Sequence, residues 1–166
     1  MSLTTAITLN FATTYTKDMD LSTLKDTLAQ NWNIALATGT GANQADCIFH
    51  DERTLADDAT ETLDLYASGA LLDAFGAALT METLKVLAIY NQSSDAGLVL
   101  FGGASFDLGI VVDTSDKLLL PPGGKFLWTA PGATGLDITT NKNLKLLHDG
   151  TGTSDLTYDI IAIGVD

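Results

Sequence analysis

The chain has 166 residues, 46% of them hydrophobic, a mean hydropathy of +0.21 and a formal net charge of −13. Arg53 is the only arginine, and phosphate binding depends on Lys and Arg, so no nucleic acid is expected as a partner. No stretch approaches the roughly 18 apolar residues of a membrane span and no basic-then-apolar leader opens the sequence, so no membrane is expected either. Cys47, the single cysteine, excludes an intrachain disulfide framework and a thiolate metal cluster, and fits a reducing compartment.

The length predicts one domain over 1–166. Its surplus of apolar surface is expected to be buried against other protein chains, because monomers rarely expose large apolar patches. Eighteen of the 21 acids are Asp, a turn and cap residue, which places the acidity at loop ends.

In chain order, Ala6–Phe11 alternates Ile7, Leu9 and Phe11 on one face and predicts a strand. From Asp18 to Gln30, Leu21, Leu24 and Leu28 share a helical face, with Asp20 or Ser22 as cap and Asn31 as stop, predicting one short helix. Asn33–Ala37 reads as a strand, 38–43 as a loop, and Cys47–His50 and Thr62–Tyr66 as strands. Lys85–Asn91 is apolar on both faces, as in a central strand, and is expected to form a hairpin with Leu98–Phe101. Phe106–Val112 is the clearest alternating run. Lys117–Leu120 precedes the turn Pro121-Pro122-Gly123-Gly124, after which Lys125–Ala130 places Phe126 and Trp128 on one face. Leu136–Thr140 follows, and Leu144–His148 with Leu156–Val165 reads as a terminal hairpin.

Short strands separated by turn residues predict an all-β, jelly-roll-like antiparallel β-sandwich with one short helix near the N-terminus. In the last strand Leu156, Tyr158, Ile160 and Ala162 line one face, while the other passes from Thr157 and Asp159 to Ile161, Ile163 and Val165. That second face needs a cover, either the chain's own helix or a neighbouring subunit. The expected interface or core residues are Phe126, Trp128, Tyr158, Ile160, Ile161, Ile163 and Val165.

No catalytic, cofactor or metal residue is assigned. Cys47 and His50 fall on opposite faces of a strand and cannot act as a nucleophile–base pair. Gly39-Thr40-Gly41 lacks the third glycine of a dinucleotide loop, Gln44 standing in its place, and no Walker lysine follows. Asp57 and Asp58, and the set Asp107, Asp113 and Asp116, offer oxygen ligands but match no calcium-loop spacing. Trp32 and Trp128 with Tyr15, Tyr66, Tyr90 and Tyr158 fit a core better than a sugar platform.

From Asp51 onward the chain resembles small virion proteins of tailed bacteriophages, among them jelly-roll-like head decoration (cement) proteins. The likeness rests on the order of a polar run (DERTLADDATETLDLYASG), LKVLAIYNQSSDAGLVLFGGAS, PPGGKFLWTAPGATGLDITTN and the close NLKLLHDGTGTSDLTYDIIAIGVD. The Pro-Gly-Gly turn before an aromatic strand and the Tyr-Asp-Ile-x-x-Ile-Gly ending carry most of it. The resemblance implies a homotrimer on the capsid surface, bound to the major capsid protein, made in the host bacterial cytoplasm and without enzymatic activity. Residues 1–50 fall outside it and are expected to be a docking arm or an added subregion. The alternative reading is a tail-fibre or receptor-binding module that recognises carbohydrate.

Overall fold

The computed structural model describes residues 2–66, 69, 71–101, 110, 116–152 and 154–166. The described residues form strands and no helix. Two antiparallel sheets face each other across the main core. One orders β10 (Leu136–Asp137), β6 (Thr83–Asn91), β12 (Leu156–Val165) and β4 (Cys47–Leu55), with β9 (Lys125–Thr129) also on β6. The other orders β5 (Thr60–Asp64), β11 (Asn143–His148), β7 (Leu98–Phe101) and β8 (Lys117–Leu120). Inward positions at a period of two fill the space between them: Phe49 and Leu55 of β4, Leu87 and Ile89 of β6, Tyr158 and Ile160 of β12, Leu98 and Leu100 of β7, Leu144 and Leu146 of β11.

β6 and β7 do not pair, and neither do β11 and β12; each link crosses from one sheet to the other, so the two hairpins expected from sequence are corrected. At the first crossing, the Nδ2 of buried Asn91 donates to the carbonyls of Ala96 (2.8 Å), Leu120 (3.1 Å) and Pro121 (3.2 Å). One amide thereby ties the start of β7 to the Pro-Pro-Gly-Gly turn. Of the Phe106–Val112 run only Ile110 lies within the described residues, half-buried against the main core.

The expected helix over Asp18–Gln30 is absent. In its place a long hairpin joins β1 (Thr5–Met19) to β2 (Ser22–Thr38) through a two-residue turn, Asp20-Leu21. Leu24 and Leu28 stand four apart, a spacing that satisfies a strand face as well as a helical one, and Trp32, Ile34 and Leu36 continue it at even intervals. The short β3 (Gln44–Ala45) adds to β2 in parallel at Ala37 and Thr38.

β12 is the organising strand, paired with β4 on one side and β6 on the other. Its outer face supplies Ile163 to a second core with Leu36, Ala45 and Val86, against which Leu3, Ile7, Ile34, Ile48 and Leu127 pack. The cover of this face is therefore the base of the chain's own hairpin. Two residues along, Ile161 is 41% exposed. Between Ile163 and Gly164 the β6 register slips, so that Val86 and Leu84 are the partners and Lys85 is the extra residue. This bulge lets Leu84 join the main core beside Leu87, while Lys85 Nζ donates to the carbonyls of Gly132 and Ala133 (2.9 Å for the latter).

Ile163→Asp is expected to lower stability by about 3 kcal/mol or more, since it buries an unpaired carboxylate. Ile161→Asp on the same face should cost under about 1 kcal/mol, in line with an exposed position. Urea midpoints of the two variants check this; equal losses would contradict the placement of the second core.

Candidate functional site

The hairpin has two chemically different faces. Directly paired residues share a face, so the register Leu9↔Trp32, Phe11↔Gln30, Thr13↔Leu28, Tyr15↔Asp26, Lys17↔Leu24 and Met19↔Ser22 defines one of them. That face is an apolar stripe, beginning at Ile7, Ile34 and Leu36 in the second core and running outward to the tip. The opposite face holds Ala12, Thr14, Thr16, Asn31, Ala29 and Thr27, with Asp18 accepting from Thr23 Oγ1 at 2.9 Å near the turn.

Burial falls away along the stripe. Leu36 is buried and Ile7, Leu9 and Ile34 are half-buried, whereas Tyr15 is 73%, Trp32 58%, Leu24 57% and Leu28 51% exposed. Phe11 and Trp32 stack edge to face, centroids 5.1 Å apart. At the usual rise of ~3.4 Å per residue, 15 paired positions make a ribbon about 50 Å long. No strand pairs along the outer edge of β1, nor along that of β2 before Ala37, among the described residues. An isolated two-stranded ribbon is marginal in water, and this one presents open edges and an apolar face together.

The remaining expected residues lie elsewhere. Tyr158 and Ile160 are fully buried in the main core, with Phe126 and Trp128 half-buried against it; Ile163 and Val165 are buried and Ile161 is open. The sugar-platform aromatics are dispersed: Tyr90 lies under Lys125 Nζ at 4.0 Å and Tyr66 near Lys142 Nζ at 5.9 Å, both remote from Tyr15 and Trp32 on the ribbon.

Beside the hairpin base a cleft of about 460 Å³ is lined by Leu3, Cys47, Ile48, Phe75, Leu79 and Asp166. Burial, reinforced by Asp46 and Asp166, pushes the Cys47 thiol up to about 12, so it is a protonated thiol at neutral pH and a poor nucleophile. His50 projects from the other face of β4. His148 is buried; its Nδ1 accepts from the Gly150 amide (3.1 Å), which leaves Nε2 to donate to the Ser154 carbonyl (3.2 Å). It thus fastens the Asp149–Gly152 turn. Asp57 lies 3.7 Å from that Nδ1, and Asp107 and Asp113 are outside the described residues. Among the described residues no three potential metal ligands cluster. In the 38–43 loop, Gln44 Oε1 accepts from the Gly41 amide at 2.8 Å, so this loop is closed by its own side chain.

A cluster of interacting charges inside the sandwich spans both sheets. Glu61 of β5 pairs with Arg53 of β4 and accepts from the Tyr158 hydroxyl at 2.7 Å; Arg53 also reaches Asp51 at 2.7 Å. Burial acts to raise the Glu61 carboxyl, but the hydrogen bonds from Arg53 and Tyr158 outweigh it and hold the group below its ordinary range. Burial and then Glu61 push the Tyr158 phenol above its own range, keeping it a proton donor. With all partners supplied from within, this triad is a cross-brace between the sheets. Sequence reading missed it because Arg53 and Glu61 lie in a run that looks uniformly polar.

No protein-family model, curated protein or solved structure matches the chain.

Because the folded-state Glu61 lies below its unfolded value of about 4.3, its contribution is complete above about pH 5 and is lost as pH falls through the depressed value. Glu61→Gln should cost about 2 kcal/mol at pH 7, and the gap to the unmodified protein should narrow steadily below about pH 4. Chemical denaturation at pH 7 and pH 3 measures both; a gap independent of pH would remove the brace from the account.

Proposed function

We propose that this chain is a structural virion protein, a capsid decoration (cement) protein that binds and stabilises the major capsid lattice as a homotrimer on the capsid surface. The observation that carries the reading is the ribbon: a long, two-faced arm with an exposed apolar stripe is built for association, and no comparably organised group of reactive side chains accompanies it among the described residues.

The strand order supports a jelly roll. Leaving aside the ribbon sheet and the two-residue β10, the described residues of the body form eight strands, β4 to β9 with β11 and β12. Its first pairs with its eighth (β4·β12), second with seventh (β5·β11), third with sixth (β6·β9) and fourth with fifth (β7·β8). This is one long folded hairpin rolled so that successive pairs alternate between two sheets, an arrangement frequent in viral capsid domains. Lectins share it, and fold alone does not choose between them. Tyr158 is buried in the main core and Trp128 packs against it, while Tyr90 lies on the other face of the same sheet under Lys125, so these rings form no shared open platform, which favours the structural reading over carbohydrate recognition. The mechanism is association: buried area added between subunits opposes the outward pressure of packaged DNA, and the acidic surface repels that polyanion.

Quantitative mass spectrometry of purified virions is expected to find hundreds of copies, in simple ratio to the major capsid protein. A handful of copies would transfer the protein to the tail and favour the receptor-binding reading, and absence would overturn both.

A further inference from the structure

The ribbon's stripe requires an occupant, and three observations indicate which. The first is charge. Residues 2–38 hold two lysines and three aspartates, whereas the rest of the chain holds six cations against 18 acids. Arm against arm is nearly neutral; arm or body against another acidic body is not. The second is the stripe itself, which contains a single cation, Lys17 on β1, and a single anion, Asp26 on β2, one residue pair apart along the ribbon. The third is direction. β1 runs from base to tip and β2 from tip to base, with both outer edges open.

We propose that the arms of three copies pack around a common axis, tips together, into a closed six-stranded antiparallel barrel with the stripes inside. This rests on the association reading above and names its partner surface. In such a ring the β1 edge of each copy meets the β2 edge of the next, and the two run antiparallel without any reversal. Closure satisfies every open edge, which no flat pairing of ribbons achieves. It also sets Lys17 of one copy on the same side as Asp26 of its neighbour. Barrel diameter grows with strand number, so the four strands of two ribbons leave less room for Phe11, Tyr15 and Trp32 of each copy than the six strands of three. The exposed parts of Phe11, Tyr15, Met19, Leu24, Leu28 and Trp32 amount to roughly 600–700 Å² per copy, so closing three arms into one barrel buries about 1,800–2,100 Å² in all, above the ~1,000 Å² of a stable interface. The polar face of Ala, Thr and Asn stays outside, and the acidic bodies splay apart at the base.

The test uses the purified full chain. Sedimentation equilibrium at micromolar concentration should give three times the 17.4 kDa chain mass. Leu28→Asp combined with Trp32→Asp alters two exposed side chains and should weaken trimer formation about 100-fold or more while the body keeps its cooperative unfolding. A nitroxide at Leu21→Cys, placed in a Cys47→Ser background so that only one thiol is labelled, reports the geometry. Tips together place the labels within about 25 Å, whereas antiparallel arms separate them by about 50 Å. A monomer, an antiparallel dimer, or an arm that is buried only on adding the major capsid protein overturns the barrel. Virion copy number is read separately, so a monomer found in hundreds of copies would overturn the barrel and leave decoration standing, and a trimer absent from virions would do the reverse.

Discussion

A strand that is apolar on both faces needs two covers, and β12 is such a strand. Its inner face meets the opposing sheet through Tyr158 and Ile160; its outer face, at Ile163, meets the base of the N-terminal hairpin. That second contact turns a sandwich into a sandwich with an arm. It fixes where the arm is rooted and carries the apolar stripe out of the core without a break, from Leu36 through Ile34 to Trp32. The cover stops short of Ile161, so the transition from buried to open surface takes place within one strand repeat.

The polar groups inside this architecture act as fasteners between segments distant in sequence. Asn91 binds three carbonyls where the chain leaves one sheet for the other; Lys85, displaced by the bulge, binds two in the turn that follows β9; Arg53, Glu61 and Tyr158 brace sheet to sheet. Among the described residues no buried side-chain nitrogen or oxygen lacks a partner. Satisfied networks of this kind favour one arrangement of the sheets over its neighbours, since any slip orphans several groups at once.

The all-β class and most body strands were legible because alternation is a local signal. Lys85–Asn91 reads as central from its two apolar faces, and the Pro121–Gly124 turn from residue chemistry alone. Pairing was not legible. The runs flanking Ser93–Gly97 look like hairpin partners, yet each belongs to a different sheet, a choice made by packing and not by the turn. The N-terminal hairpin was hidden for two physical reasons: its turn, Asp20-Leu21, lacks the glycine or asparagine that announces a two-residue loop, and its leucines are spaced at a common interval of strand and helix. Reading Ile7, Leu9 and Phe11 against Trp32, Ile34 and Leu36 as one palindromic pattern was the available clue. Residues 1–50, expected to be a docking arm or an added subregion, contain this ribbon.

β12 also sets an order of events. Leu156 pairs with Leu55 and Tyr158 with both Arg53 and Asn91, so the middle of the larger sheet is supplied by its latest segment. Non-local pairings of this kind form slowly. The β1–β2 hairpin pairs neighbours along the chain, so its register is set locally, but as a lone ribbon it is only marginally stable until its base is seated. Its footing is another matter: Ile163 is part of the seat on which Ile7, Ile34 and Leu36 rest. A chain that has not yet placed β12 therefore carries a ribbon hinged at a loose root. The firmness of the arm thus depends on completion of the sandwich beneath it.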